Sequence, residues 1–379
     1  MEECPLYPQC GGCTFRTLSK EAYSEQKYAS FKHILEHINQ TPLTFGEPVF
    51  IADGTRRRAS FTFSFIKKEL RFGFNAEKSH DIIDCEKCLL LTERINRNLP
   101  KIRSLLKELC TEPYTIKKGK KSIRQGITGG EVFVSEADNG IDVLFKMAFA
   151  PELPHRLIIS DYCASDSDII RISWQKANET TPETILEKSR PIIENSGFPV
   201  YIPSGTFLQA SKAGEQALSG LVMKYIGDNS GRVADLFCGI GTFSYPLCRN
   251  TNNKILAIDS SKELLEGFKQ SVNRNQITNI KIEARNLFKY PLDEQEVSQF
   301  DIVVFDPPRA GAAAQTEKLA KSVRGPQKVI AVSCNPRTFV NDANTLIAGG
   351  YTLKEITMVD QFIYSGHTEL VALFEKEKR

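Results

Sequence analysis

The 379-residue sequence lacks any apolar run long enough to span a bilayer, and its start lacks the basic and apolar segments of a signal peptide. We therefore expect a cytoplasmic protein that is not associated with a membrane. Neither an internal repeat nor a low-complexity block is visible. The net charge of only +3 permits a local basic surface but does not require a polyanionic partner. The length allows two or three domains.

Two common nucleotide-binding signatures are also incomplete. In "DLFCGIGTF", Gly239 and Gly241 follow a predicted strand and precede a predicted helix, but the third glycine of the dinucleotide fingerprint is missing. No run of amides and lysine for a triphosphate is present. The next strand ends in Asp259, which can accept hydrogen bonds from ribose hydroxyls. The pattern favours a nucleoside cofactor, foremost S-adenosylmethionine, over a purely structural turn.

Strands and helices alternate from about residue 204 onward. Predicted strands are "RVADLFCGIGTF", "KILAIDSS", "IKIEARNLF", "FDIVVFDPPRAG", "KVIAVSCNP" and "ELVALFEK". This alternation predicts an α/β domain over residues 204–379 with a mostly parallel sheet covered on both faces. In such sheets the ligand crevice lies beyond the carboxyl ends of the strands.

The chain upstream of residue 204 is predicted to be rich in strands. A cysteine-rich segment, residues 1–45, includes a helix from Lys20 to Ile38. Residues 46–203 contain the alternating strand "SFTFSF", a helix over 92–109 and two strands around Asn139-Gly140, a strong hairpin signal. The polar stretch 177–203 indicates a domain boundary.

Asp306 ends a predicted strand in "FDPPRAG", where two prolines stiffen the following backbone. The loop could simply terminate the strand. Beside a methyl-donor pocket, it could instead hold the group that is methylated. Amino-methylating enzymes carry an aromatic residue after this loop, whereas this chain has Arg309, which argues against an exocyclic nitrogen target.

Cys334 lies at the end of the predicted strand in "KVIAVSCNPRTF", where it faces the ligand edge of the sheet. Uracil C5 is a poor nucleophile. A thiolate that adds to C6 makes C5 reactive, and a base must later remove the C5 proton. Glu369, near His367 at the start of the last strand, is a candidate base. Alone, Glu369 would be interpreted as a surface residue. With Cys334 and Asp306, the catalytic interpretation is favoured.

The N-terminal cysteines have a spacing typical of a metal site. Cys4, Cys10 and Cys13 cluster, and "DCEKC" offers Cys85 and Cys88 as a distant fourth ligand. Zinc and a [4Fe-4S] cluster both accept four thiolates. Reduced free cysteines are the alternative. The other cysteines, Cys110, Cys163, Cys238 and Cys248, are expected to be packing residues.

Three arginines, Arg56, Arg57 and Arg58, precede the strand that bears Phe61, Phe63 and Phe65. Arginines beside aromatic rings would suit single-stranded RNA. The alternatives are a solvated arginine run and phenylalanines that belong to the core.

Together these motifs resemble the uracil-C5 RNA methyltransferase family, which makes 5-methyluridine in ribosomal and transfer RNA. The resemblance spans nearly the whole chain and includes "RRRA", "GTFLQAS", "DLFCGIGTF", "DPPRAG" and "SCNPRTFVND". It implies a Rossmann-like, S-adenosylmethionine-dependent methyltransferase domain, preceded by a strand-rich α+β RNA-binding region and a cluster-binding N-terminus.

The resemblance also implies roles for individual residues. Cys334 would be the nucleophile and Glu369 the base. The S-adenosylmethionine contacts map by motif onto Gln209, Phe237, Asp259, Asn286 and Asp306, with Thr242 as a further contact where the family often has asparagine. Cys4, Cys10, Cys13 and, by alignment, Cys88 rather than Cys85 would bind a [4Fe-4S] cluster.

The chain departs from the family pattern at two further positions. Ser211 stands where the family's Phe-x-Gln-x-Asn motif has its asparagine, and Asp259 stands where many members have glutamate. Only three residues precede Cys4, so RNA recognition is expected from the cluster region and the central strands. Ribosomal RNA is favoured over transfer RNA, and no obligate protein partner is evident. A nitrogen-directed methyltransferase and a non-catalytic RNA-binding iron-sulfur protein are the rival functions.

Overall fold

The computed structural model describes residues 3–119, 121–164 and 168–376, without the side chains of residues 118, 163 and 164. The helices are α1 (Lys20–Leu35), α2 (Glu93–Leu109), α3 (Leu153–Ala164), α4 (Lys212–Ile226), α5 (Ser244–Cys248), α6 (Lys262–Arg274), α7 (Glu294–Val297), α8 (Ala313–Lys321) and α9 (Pro336–Ala348). Within those residues, no helix is long and apolar enough to cross a membrane.

The strands in the first half of the chain are β1 (Val49–Phe50), β2 (Arg58–Ile66), β3 (Glu69–Asn75), β4 (Ile82–Asp84), β5 (Tyr114–Lys118), β6 (Lys121–Gln125), β7 (Gly129–Ala137), β8 (Gly140–Met147) and β9 (Ile169–Lys176). Those that follow are β10 (Glu183–Glu187), β11 (Ile192–Asn195), β12 (Phe198–Tyr201), β13 (Arg232–Leu236), β14 (Lys254–Asp259), β15 (Ile280–Ala284), β16 (Ile302–Phe305), β17 (Lys328–Ser333), β18 (Thr352–Asp360) and β19 (Glu369–Glu375).

The chain forms two compact units, neither of which is continuous in sequence. The strand-rich unit comprises residues 1–16, 52–193 and 201–211, and the second, which we call the α/β unit, comprises 17–51, 194–200 and 212–379. Helix α1, which the sequence groups with the cysteines, therefore belongs to the α/β unit. The stretch 177–203 contains β10, β11 and β12 and two of the points at which the chain passes from one unit to the other, after residues 193 and 200.

The strand-rich unit is built on a seven-stranded sheet in the order β10-β9-β8-β7-β2-β3-β4. All neighbours in it are antiparallel except β8 and β9, which α3 connects. Phe61 and Phe63 are buried in its core, and Phe65 packs against that core. The alternating phenylalanines are thus core residues, which excludes Phe61 and Phe63 as stacking platforms for RNA.

The hairpin predicted around Asn139-Gly140 forms with its turn one residue earlier. Gly140 is the first residue of β8 and pairs with Ala137, so Asp138 and Asn139 make the connection. A Cβ on Gly140 would lie only 2.5 Å from the Ile170 side chain and 2.8 Å from the Asp168 carbonyl. The glycine is needed because β9 approaches closely there.

The α/β unit contains an eight-stranded sheet in the order β1-β18-β19-β17-β16-β13-β14-β15. Strands β17, β16, β13, β14 and β15 are mutually parallel, as the alternation of strands and helices predicts. Strand β19 runs antiparallel between β17 and β18. This insertion brings the start of β19 to the same edge as the carboxyl ends of the parallel strands.

Candidate active site

Three residues in the loop after β13 have a left-handed backbone conformation. Phe237, Gly239 and Gly241 have φ angles of 62°, 56° and 94°. A Cβ on Gly241 would lie 2.5 Å from the Phe268 ring, whereas one on Gly239 would meet nothing within 4 Å. Gly241 is therefore required for packing, and Gly239 borders open space in which a ligand can approach the backbone.

Asp259, at the end of β14, holds this loop. Its carboxylate accepts hydrogen bonds from the Gly239 N–H at 3.1 Å and from the Ser261 N–H at 2.9 Å. Asp259 is half-buried, and its carboxylate lies at the loop after β13. The Thr242 carbonyl accepts a hydrogen bond from Asn195 at 3.0 Å, and the half-buried Thr242 continues the loop.

Asn286 follows β15, the next strand of the sheet. Its side-chain oxygen accepts hydrogen bonds from the N–H groups of Phe288 and Lys289 at 3.1 and 3.2 Å. This turn presents the Phe288 ring, which is 48% exposed and lies 5.4 Å from the Phe237 ring. Phe237, Asp259 and Asn286 are thus gathered at one edge of the sheet, together with Phe288.

Acidic side chains affect the pKa values of their neighbours beneath this edge. The pKa of Asp235 is raised to about 7: burial is the main cause, a hydrogen bond of 2.5 Å from the Ser244 hydroxyl opposes it, and the charges of Asp306 and Asp259 add to the rise. Burial also raises the pKa of Asp306 well above its usual range, with a further contribution from the charge of Glu369. Burial thus disfavours the charged forms of these carboxyl groups, and a cationic ligand at this edge would favour them.

Cys334 and Glu369 occupy facing ends of paired strands. Ser333 of β17 pairs with Leu370 of β19, so Cys334 follows one member of this pair and Glu369 precedes the other. Glu369 is only 3% exposed, and Cys334 is half-buried. The antiparallel register therefore brings a thiol and a carboxylate together at the ligand edge of the sheet.

The pKa of the Cys334 thiol is raised to about 11. Burial is the main cause, the charges of Glu369 and Asp306 add to it, and Arg309 lowers it. The Arg309 guanidinium lies 2.9 Å from His367 Nδ1, and the Arg309 carbonyl accepts a hydrogen bond from the Asn335 side chain at 3.0 Å. The Asp306–Arg309 loop is therefore fixed beside the cysteine.

Gln209, the remaining predicted cofactor contact, belongs to the strand-rich unit. It is buried, and its backbone carbonyl accepts a hydrogen bond of 3.1 Å from the buried Arg57. Arg57 is thus not part of a solvated arginine run. In the same unit, the Arg58 guanidinium lies 3.7 Å from the centre of the Phe207 ring, which is 62% exposed.

The N-terminal segment is attached to the end of β3. Cys10 forms a β-bridge with Ala76, and the Gly11 N–H donates to the Asn75 carbonyl at 3.0 Å. Gly11 has no room for a side chain, because its Cβ would lie 3.0 Å from that carbonyl. This attachment brings the first cysteines to the β3–β4 hairpin and the loop behind it.

The predicted ligand cysteines are close enough to influence one another. Burial raises the pKa of Cys13 to about 12, and the charge of Cys88 is the next contribution, followed by smaller ones that include Cys10 and Cys4. Burial raises the pKa of Cys85 to about 12 as well, with contributions from the same neighbours. In the part of the chain that the structure describes, however, no group of three or more Cys, His, Asp or Glu is arranged to hold a metal ion.

Three of the cysteines expected to pack are buried: Cys110, Cys238 and Cys248. The side chain of Cys163 lies outside the described residues. The sequence did not reveal Phe288, whose only signal is an aromatic residue two positions after Asn286. It also did not reveal Gln361, whose side-chain amide donates to the Glu369 carboxylate at 3.1 Å, because nothing in its local pattern marks it.

Comparison with known proteins agrees with this geometry. A family model described as tRNA (Uracil-5-)-methyltransferase matches residues 193–377. An RlmD 23S rRNA (uracil(1939)-C(5))-methyltransferase from Aliivibrio fischeri is 30% identical over 386 residues, which cover 98% of this chain and 82% of the relative. The chain belongs to the uracil-C5 RNA methyltransferase family. The resemblance stated from the motifs is therefore confirmed, and the protein is an RNA (uracil-C5)-methyltransferase.

A further relative and one solved structure are also similar to this chain. An uncharacterised RNA methyltransferase of Rhizobium meliloti is 34% identical over 370 residues, which are 97% of this chain and 82% of that protein. The Pyrococcus abyssi tRNA (uracil-54, C5)-methyltransferase, solved in complex with S-adenosyl-L-homocysteine, has a TM-score of 0.73 and 22% identity, covering 99% of this chain and 87% of that one. At that identity the likeness concerns the fold.

Proposed function

We propose that this methyltransferase transfers a methyl group from S-adenosylmethionine to C5 of a uridine through a covalent bond between Cys334 and C6. Support comes chiefly from the register that puts Cys334 and Glu369 on facing ends of β17 and β19, with Asp306 at the end of neighbouring β16. A thiol and a carboxylate at one ligand edge are what addition and proton removal require.

In the first step the Cys334 thiolate adds to C6, and the electron pair displaced from the C5–C6 double bond lets C5 take the methyl group of the sulfonium. S-adenosylhomocysteine is the leaving product. Glu369 then removes the proton from C5, the double bond re-forms, and the Cys334 thiolate leaves C6. The target uridine must be turned out of its stack to reach both groups.

The loop after β13 is our proposed site for the methyl donor. Gly239 leaves room for close approach to the backbone, and the Asp259 carboxylate, which accepts a hydrogen bond within this loop, is proposed to accept others from the ribose hydroxyls. We propose Phe237, Thr242, Asp259, Asn286 and Asp306 as contacts; Gln209, the other contact implied by the motifs, stays a prediction. A positive sulfonium near Asp306 would favour its charged form.

Arg58 and Phe207 are proposed to contact RNA. The guanidinium over an exposed ring offers a flat, cationic surface on which an unpaired base can stack. Arg57, which is buried and bonded to the Gln209 carbonyl, has a structural role in this proposal.

A [4Fe-4S] cluster is proposed at Cys4, Cys10, Cys13 and Cys88, in a cytoplasmic protein. Support comes from the proximity of the thiols, which raise one another's pKa. The β-bridge between Cys10 and Ala76 also fixes the N-terminal segment near Cys85 and Cys88. The family alignment favours Cys88 over Cys85 as the fourth ligand, and the charge of Cys88 contributes to the raised pKa of Cys13. Methyl transfer needs no electron transfer, so such a cluster would not need a redox role. It would instead stabilise the N-terminal segment.

Ribosomal RNA is the proposed substrate, with transfer RNA as the alternative. The RlmD relative, which matches 98% of this chain, is named for 23S rRNA, whereas the family model is named for tRNA. We expect a deletion strain to lose one or more 5-methyluridines from its large-subunit ribosomal RNA, as mapped by mass spectrometry of nuclease fragments. Loss confined to transfer RNA would reverse the substrate assignment, and an unchanged 5-methyluridine content in both RNAs would contradict the function.

A further inference from the structure

The segment between β18 and β19 carries the proposed base at its end. Residues 361–368 leave β18 after Asp360 and return to β19 at Glu369, which accepts a hydrogen bond of 3.1 Å from Gln361. We call residues 361–368 the base loop. Its conformation sets the direction from which the Glu369 carboxylate enters the site, because Glu369 is the first residue after it.

A lysine from the far end of the sequence holds this loop. Lys27 of α1, which is 6% exposed, donates from Nζ to the carbonyl oxygens of Ser365 at 2.5 Å and His367 at 2.6 Å. The same Nζ lies 3.3 Å from Asp360 Oδ1. One ammonium group therefore binds Asp360, the residue that precedes the base loop, and two carbonyls in the second half of the loop.

Tyr23, one turn earlier in α1, completes the attachment. Its hydroxyl donates to Asp360 Oδ2 at 2.5 Å and accepts from the Tyr364 N–H at 2.9 Å. The rings of Tyr23 and Tyr364 are 4.9 Å apart. Lys27 and Tyr23 thus contact the residue that precedes the base loop, the middle of the loop and its end.

Burying the charged Lys27 and Asp360 side chains costs free energy, which argues that the positions of these groups are important. Desolvation lowers the pKa of Lys27, and the neighbouring Asp360 opposes that change. Buried ion pairs commonly contribute little net stability compared with apolar residues of similar size. An apolar helix face would pack on the sheet as well, but it would not fix the Ser365 and His367 carbonyls.

We propose that Lys27, together with Tyr23 and Asp360, is a positioning residue that orients the base loop so that Glu369 can remove the C5 proton. The inference rests on the proposed function of Glu369. It predicts a selective defect in the last step of the reaction, whereas a purely structural role predicts a proportional loss in every step.

The test compares Lys27→Met and Tyr23→Phe with two reference variants. Glu369→Gln lacks the base itself, and Lys32→Met alters an exposed lysine on the same helix. Addition is measured as the rate of trapping RNA that contains 5-fluorouridine, where elimination is blocked. Elimination is measured as the fraction of protein in a denaturation-resistant adduct with ordinary RNA during turnover.

For Lys27→Met we expect turnover to fall roughly 10- to 100-fold, the range typical of a displaced general base, while the trapping rate stays within about twofold. The adduct with ordinary RNA should accumulate, as with Glu369→Gln. Tyr23→Phe keeps the ring and should show the same pattern more weakly, and Lys32→Met should resemble the unaltered protein.

Two failures are distinguishable. If Glu369→Gln accumulates adduct but Lys27→Met and Tyr23→Phe lose trapping and turnover in equal proportion, the positioning role is wrong and the proposed function stands. If Glu369→Gln accumulates no adduct and turns over normally, the proposed role of Glu369 fails, and the inference fails with it.

Discussion

At the scale of single residues, the nucleophile is held in an unreactive form. Burial and two nearby carboxylates raise the pKa of Cys334 to about 11, so only a small fraction is thiolate at neutral pH. Arg309 acts in the opposite direction but does not compensate. This protects the thiol from unproductive reactions and makes the addition step depend on proton removal.

We expect alkylation of Cys334 by iodoacetamide to be slow at pH 7 and to rise roughly tenfold per pH unit towards pH 10, because the thiolate is the reacting form. Peptide mass spectrometry separates Cys334 from the other cysteines. A rate that is already constant above pH 8 would contradict a raised pKa. The Arg309→Gln variant should move the profile to higher pH.

The residues that sequence reasoning could find are those attached to strand ends. Asp259, Asp306 and Cys334 each end or follow a strand that its apolar run reveals, and parallel strands bring their carboxyl ends together. Lys27 offers no such signal, since its partner Ser365 is 338 positions away. Its helical spacing predicts only a buried face of α1.

At the scale of elements, an antiparallel strand shapes the active edge. Because β19 runs against β17, its first residue rather than its last lies beside Cys334. Sequence reasoning found β19 but not its neighbour β18, whose alternation is irregular and which contains a register shift between Leu353 and Glu355. The hairpin turn also lies one residue earlier than the sequence predicts. Gly140 is a glycine because β9 approaches it closely, and the sequence around the turn does not show this approach.

The cluster proposal belongs to the same scale, because it concerns the N-terminal segment and the loop after β4. Protein purified without oxygen should be brown, with broad visible absorption, and contain about four iron and four sulfide per chain, as a [4Fe-4S] cluster requires. Cys88→Ser should lose the colour and most of the iron. Cys85→Ser should retain them if Cys88 is the fourth ligand, and the buried Cys110→Ser serves as control.

A colourless protein with stoichiometric zinc would overturn the cluster assignment while leaving the methyl transfer chemistry intact. Iron loss in Cys85→Ser but not in Cys88→Ser would exchange the fourth ligand.

At the scale of the whole molecule, the order of motifs along the chain does not show which segments belong to the same unit. Residues 17–51 follow the first three cysteines, yet they belong to the α/β unit, where α1 packs against α9 and binds the base loop. Composition and periodicity indicate which segments are strands and helices. They do not indicate that the first helix of a 379-residue chain forms a buried ion pair with the last residue of β18.

The central claim is that Cys334 forms a covalent bond with the target uracil. The most direct test incubates the protein with S-adenosylmethionine and RNA in which uridine is replaced by 5-fluorouridine, because fluorine cannot leave as a proton does. We predict a complex that survives denaturation, with the modified peptide containing Cys334, and none with Cys334→Ala. Absence of that complex with ribosomal and transfer RNA alike, or full methylation by Cys334→Ala, would contradict the account.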